Sequence, residues 1–197
     1  MQITGRDAEK PLAGGRGWHS RGYLPHYDAA VVQMITYRLA DALPLAVIER
    51  GLEGGGTEAH KRRRLEEYLD AGHGACVLRR PEVATLVIDN WHRFDGARYH
   101  LHAWVVMPNH AHVVIAVEPG QSLSRIVDSW KSYTATAINR CLKRRGQLWQ
   151  KDYWDRVIRD EKHFISAVDY IHGNPVKARL VDRAEDWQWS SARKWLG

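Results

Sequence analysis

Residues 99–117 read YHLHAWVVMPNHAHVVIAV, and this stretch decides the fold. Two runs rich in β-branched and aromatic residues, Tyr99 to Val106 and His110 to Val117, flank the short turn Met107-Pro108-Asn109. That pattern predicts an antiparallel hairpin, with residues two apart on the same face of each strand. His110 and His112 therefore present their imidazoles side by side. Two neutral imidazoles on one rigid strand are good partial ligation for a divalent metal, and a third ligand has to come from elsewhere. The pair alone is a weak signal. His100 and His102 form a second His-x-His a few residues upstream, and two surface histidines on a strand read the same way. A histidine-triad nucleotide hydrolase would place a third His two residues on, where this chain has Val114.

Working outward, Ala29 to Leu39 (AAVVQMITYRL) reads as an earlier strand. Leu43 to Gly51 is predicted as a short helix, and the Gly54-Gly55-Gly56 break is followed by Thr57, which caps a charged helix running to Asp70. Pro81 opens a helix to Phe94 (PEVATLVIDNWHRF). Downstream of the hairpin, Leu123, Ile126, Val127, Trp130, Ala137 and Cys141 mark the buried face of a helix from Ser122 to Lys143. Tyr153 to Ile158 is a last strand. Glu161 to Gly173 is a last helix, stopped by Asn174-Pro175, and the tail with Trp187, Trp189 and Trp195 docks back on the body. The order strand, helix, strand, strand, helix, strand predicts a ferredoxin-like α+β sandwich, with helices on one face of an antiparallel sheet and the other face left for a site. Residues 1–28 show no clean period and read as a mobile or loosely docked arm; residues 29–197 read as one domain.

Composition narrows the partners. The 29 Lys and Arg against 23 Asp and Glu give a net charge of +6, which favours a polyanion. Nine Trp and eight Tyr against two Phe fit either bases stacked on side chains or amphipathic aromatics at the core boundary. Cys76 and Cys141 are far apart with no CxxC pair, so neither a disulfide framework nor a thiolate zinc site is expected. No apolar run approaches the roughly 18 residues needed to span a bilayer, and MQITGRDAEK lacks a signal-peptide apolar segment. The expectation is a cytoplasmic protein with no membrane partner.

The last helix carries Tyr170 and Asn174, four apart and on one helical face. A Tyr beside an amide oxygen can place a nucleophile and a third metal ligand together. Equally, Tyr170 reads as a boundary aromatic and Asn174 as a helix terminator. Tyr133 falls on the buried stripe of the long helix, and Tyr153 is placed to stack on a base. Arg16 and Arg21 in the arm, Lys131 and Arg140 on the long helix, and Arg156 and Arg159 near the last strand are candidate contacts to a polyanion, DNA on the resemblance that follows. Lys61 to Arg64 reads as a solvated helix face, outside the site.

Four segments in consistent order resemble one family. MPNHAHVVI, WKSYTATAINR, LWQKDYWDRVIRDE and YIHGNPVKARLV, between Tyr99 and Ser191, are similar to the REP-associated tyrosine transposases within the HUH single-tyrosine transposases; RGYLPHYD near the start resembles the family's N-terminal segment. The stretch at about 43–80 is then a helical insertion, longer than in the minimal insertion-sequence enzymes. The resemblance implies His110 and His112 as metal ligands, Tyr170 as nucleophile, and Asn174 as the residue completing the metal site, where insertion-sequence relatives often carry Gln. It implies Mg²⁺ or Mn²⁺ as cofactor and a single-stranded DNA endonuclease and strand transferase acting on hairpin, REP-like palindromic DNA. The intermediate would be a 5′-phosphotyrosine, and the enzyme a monomer or a homodimer. Two rival functions remain open: a domesticated hairpin-binding protein that no longer cuts, and a metal-dependent phosphohydrolase that uses water.

Overall fold

The hairpin forms with the strand limits its sequence predicts. The structure, a computed structural model, describes residues 18–20, 25–27, 31–44, 47 and 57–195. Along the chain these are β1 (Trp18–Ser20), β2 (Pro25–Tyr27), β3 (Val32–Arg38), α1 (Glu58–Asp70), α2 (Pro81–His92), β4 (Tyr99–Val106), β5 (His110–Val117), α3 (Leu123–Cys141), β6 (Trp154–Val157) and α4 (Glu161–Lys177). The main sheet runs β4-β5-β3-β6 with every neighbour antiparallel, which is the ferredoxin-like order. β1 and β2 pair separately within the segment read as an arm. The segment predicted as a helix from Leu43 to Gly51 lies mostly outside the described residues.

Alternation along the strands builds two cores. Ile35, Tyr37, Trp104, Val106, Val113 and Ile115 face α2 and α3, whose Val83, Val87, Ile126 and Trp130 complete the larger core. Ala103, Val105, Met107 and Val114 face the other way, against Ala167, Val168 and Ile171 of α4. The face expected to be left for a site is therefore the one that α4 crosses. The Trp and Tyr residues explain themselves here. Trp91, Trp104, Trp130, Trp149, Trp154 and Trp187 are buried, and polar edges among the buried aromatics pair internally: Trp130 donates to the Tyr99 hydroxyl at 3.0 Å, Tyr99 to the Trp91 carbonyl at 2.7 Å, and Trp149 to Thr134 at 2.9 Å, while Trp91 Nε1 has no partner. Buried aromatics with a polar edge satisfied in this way are core material.

Three sequence expectations change. The buried stripe of α3 continues through Thr134 and Ile138, not Ala137 and Cys141, so Tyr133 points out at 49% exposure. Thr134 tolerates burial because its hydroxyl donates to the Trp130 carbonyl at 2.6 Å while accepting from Trp149. Tyr153 is core rather than a stacking platform, with only 1% of its surface exposed. Most consequential, α4 does not stop at Asn174-Pro175. It continues to Lys177 and ends where Arg179 turns left-handed at φ 57°. Pro175 removes one N–H from the ladder, but the following turn re-forms through Ala178 N–H to the Asn174 carbonyl, and packing of the buried face holds the helix together. The tail docks as expected: Val106 N–H donates to the Trp189 carbonyl, Ser191 N–H to the Trp104 carbonyl, and Trp187 Nε1 to the Val106 carbonyl.

Candidate active site

His110 and His112 lie on the site face of β5, with exposures of 1% and 0%. Their rings stand 4.7 Å apart between centroids, at 81°. Each has its Nδ1 engaged. His112 Nδ1 meets the hydroxyl of Thr36, its partner residue on β3, at 2.7 Å. His110 Nδ1 meets the side-chain oxygen of Asn109 at 2.8 Å. Asn109 is fixed in turn, since its Nδ2 donates to the His73 carbonyl at 2.9 Å. A carbonyl oxygen can only accept, so His110 carries its proton on Nδ1. His112 Nε2 accepts from Asn174 Nδ2 at 3.2 Å, which likewise puts its proton on Nδ1. Both lone pairs are then on Nε2, the arrangement found where a second partner orients a metal-ligating imidazole.

Burial keeps both rings neutral. His112 is pushed down to about 3 by loss of solvent and by the Lys177 charge. His110 is lowered well below its ordinary value by burial first, then by His112, Lys177 and Arg38. Arg38 is itself buried, with its guanidinium 4.6 Å above the Trp154 ring, and burial brings it down to about 10.

α4 brings the second half of the site. Asp160 caps it by accepting from His163 N–H at 2.8 Å, and Ala167, Val168, Ile171, Asn174 and Pro175 form the buried face. Asn174 is 1% exposed, and its Oδ1 has no hydrogen-bond partner. The Tyr170 ring lies 5.4 Å from that of His112, with its hydroxyl buried beside Glu66 and Asn174. Burial, then the charges of Glu66 and Asp70, holds Tyr170 far above the ordinary phenol value. Asn174 is therefore not a helix end but lies inside α4 with its amide at His112, while Tyr170 is a half-buried aromatic packed at the edge of the smaller core, beside the same ring.

A cleft of about 440 Å³ opens beside Tyr170, with Thr36, Arg63, Glu66 and Arg156 on its walls. Of the basic candidates, Arg156 reaches this cleft and Arg159 follows β6. Lys131 and Arg140 ride on α3, whose buried face packs on the opposite side of the sheet. Arg16 and Arg21 lie outside the described residues. Arg63, from the run set aside as a solvated face, stands at the cleft and pairs with Glu67 at 2.9 Å.

Sequence reasoning missed the contribution of α1. Asp70 Oδ1 is 4.0 Å from His110 Nε2, and Asp70 Oδ2 accepts from Lys177 Nζ at 2.6 Å. Glu66, one turn before Asp70, faces Tyr170. The available signal was the apolar pair Leu65 and Leu69, both buried, which fixes the helix against the body and turns its neighbours inward. Among the described residues, no three His, Cys, Asp or Glu side chains close into a ready metal cage. The groups that meet are two imidazoles, the Asn174 amide, whose Nδ2 faces His112, and, further off, one carboxylate. No helix among the described residues is long and apolar enough to cross a membrane.

Comparison with known proteins shows what the chain is similar to. Residues 91–174 match the family model described as Transposase IS200 like. Over 94 residues the chain is 32% identical to the REP-associated tyrosine transposase of Escherichia coli (strain K12), covering 47% of this chain and 54% of that protein. It is 42% identical over 53 residues to a provisionally named REP-associated tyrosine transposase of Haemophilus influenzae, covering 27% of this chain and 30% of that one. The matched region thus spans about half the length, or less, of these curated relatives. A solved structure of a REP-associated tyrosine transposase bound to a REP hairpin superposes with a TM-score of 0.56 at 19% identity, over 89% of this chain and 84% of that one, so the fold is shared. Across residues 91–174 the chain is similar to the IS200-like transposases, and among the curated relatives it is similar to REP-associated tyrosine transposases.

Proposed function

We propose that the protein is a metal-dependent single-tyrosine transposase, which cuts and rejoins single-stranded DNA beside a hairpin through a 5′-phosphotyrosine. The observation that carries this reading is that His110, His112 and the buried Asn174 amide, whose Oδ1 has no partner, meet beside the Tyr170 ring.

The residues fit a divalent cation. Two imidazoles are held neutral with oriented lone pairs, and a buried amide oxygen lacks a partner, a costly arrangement unless something binds it. His110, His112 and Asn174 would hold Mg²⁺ or Mn²⁺, which when bound supplies positive charge to the scissile phosphate oxygens. Tyr170 attacks phosphorus: the bond from its oxygen to phosphorus forms, the phosphorus to O3′ bond breaks, and a 3′-hydroxyl leaves. The phenol is poorly acidic at rest, so attack requires the phosphate and its counter-charge in place. The Glu66 carboxylate faces the phenol and would receive its proton. Arg156 and Arg63 at the cleft give the strand's phosphates a cationic path. Because the ester conserves the bond, a second 3′-hydroxyl can reverse the step on another strand.

The test is incubation with hairpin oligonucleotides labelled at either end, with Mn²⁺ or EDTA. The expected result is a denaturation-resistant adduct carrying the 3′-labelled fragment, lost in Tyr170→Phe and His112→Ala. Cleavage surviving Tyr170→Phe would point to water as nucleophile, and binding without cleavage to a hairpin binder.

A further inference from the structure

We infer that Asp70, carried by the inserted helix α1, is an additional ligand to the metal held by His110, His112 and Asn174; this rests on the reading above and adds a residue to it. The Asp70 side chain is only 9% exposed, and its Oδ1 has no hydrogen-bond partner. Its 4.0 Å separation from His110 Nε2 is too long for a hydrogen bond. Two donors bound to one divalent ion at about 2.1–2.2 Å each can stand as much as about 4.2–4.4 Å apart. The observed gap therefore suits two atoms that share an ion, not two that bond each other.

Charge argues the same way. Besides Asp70 and the neighbouring His112, the cations Lys177 and Arg38 bear on His110. A dication placed there meets two positive charges, and a carboxylate is the group that offsets them. An oxygen anion also biases an imidazole site toward Mg²⁺ or Mn²⁺.

The segment holding Asp70 is built into the site rather than laid across it. Leu65 and Leu69 of α1 are buried. Immediately after the helix, the His73 carbonyl fixes Asn109, which orients His110, and Ala75 N–H donates to Asp41 at 2.8 Å. Gly74 passes so close to the Asp41 carbonyl that an added Cβ would sit 2.8 Å from it. One stretch of chain thus positions both the carboxylate and the first histidine. The Lys177 bond to Oδ2 leaves Oδ1 as the atom turned to the histidines.

The competing role for Asp70 is mechanical, an anchor tying α1 to α4 through Lys177. Mn²⁺ binding by calorimetry and by electron paramagnetic resonance, on the DNA-free full chain, separates the two. Asp70→Asn is expected to weaken Mn²⁺ binding at least tenfold. Asp70→His should keep a site and shift its preference from Mn²⁺ toward Zn²⁺, and Lys177→Met should not weaken Mn²⁺ binding. Metal-free thermal melts check that each variant is folded. Wild-type Mn²⁺ affinity in Asp70→Asn, or equal weakening in Asp70→Asn and Lys177→Met, would overturn the assignment while leaving the three-ligand site standing. If wild type and His112→Ala alike take up no Mn²⁺, the metal reading itself falls and the role of Asp70 with it.

Discussion

The chain holds two His-x-His pairs ten residues apart, His100 with His102 and His110 with His112, on paired strands of one sheet. Upstream, β4 shifts register between Leu101 and Ala103, inserting an extra residue at His102. The bulge breaks the two-residue alternation that would have aligned the rings. His100 turns to solvent and pairs with Glu118 at 2.7 Å, with 60% of its side chain exposed, while His102 packs edge-on to Phe164 at 5.4 Å. Downstream, β5 keeps an unbroken register with β3, and each ring has a buried partner on Nδ1. What separates a site from a coincidence of spelling is therefore strand regularity and the atoms behind the rings. Neither is written in the motif.

The comparison can be broken outright by substitution. His112→Ala should abolish the metal-dependent DNA adduct, a loss of at least about 10³-fold if that ring is a ligand, whereas His102→Ala should leave adduct yield unchanged. Equal losses in a labelled-hairpin assay would erase the distinction between the pairs.

A smaller effect tests the partner atoms. Thr36→Val keeps the shape but removes the oxygen that orients His112, and should weaken Mn²⁺ binding by about 10–100-fold while the fold persists. Unchanged affinity by calorimetry would mean that the strand alone aligns the ring.

Acid provides a third contrast. His112 is held at about 3 against an ordinary 6.5, so the unfolded chain binds its proton at a pH where the folded chain does not. This histidine's contribution is fully present above 6.5. It is lost as pH falls from 6.5 toward 3, at about 1.4 kcal/mol per pH unit. His110 is shifted in the same direction. Urea unfolding at pH 7 and pH 5 should show the decline, and His112→Gln should flatten it; a profile identical to wild type would contradict the neutral buried ring. The smallest change expected is at the exposed pair, where His100→Gln should alter stability by less than about 0.5 kcal/mol in the same titration, because exposed ion pairs contribute little.

How much of this was legible depended on the range of the controlling interaction. β4 and β5 were readable to the residue because alternation and a short turn are local signals. The pairing of Tyr170 with Asn174 was also visible, since i and i+4 neighbours are set by one helix. That α4 passes through Pro175 was not, because the compensation comes from tertiary packing. The exchange of Tyr133 for Thr134 on the buried face depended on Trp149, a residue from another segment that supplies the hydroxyl's partner. Asp70 was hidden in a charged helix whose composition resembles a solvated one. Its placement is a property of where Leu65 and Leu69 are buried, some forty residues before the histidines it faces.

The docked tail has a consequence for how copies of the molecule can meet. Ser190 forms a bridge with Val105, and flanking main-chain bonds from Val106 and Ser191 occupy the outer side of β4. That side is where a strand of another molecule would otherwise add itself to the sheet. The tail acts as a self-supplied border strand, closing this margin to cross-β growth, so that removing it would turn a sealed margin into a sticky one.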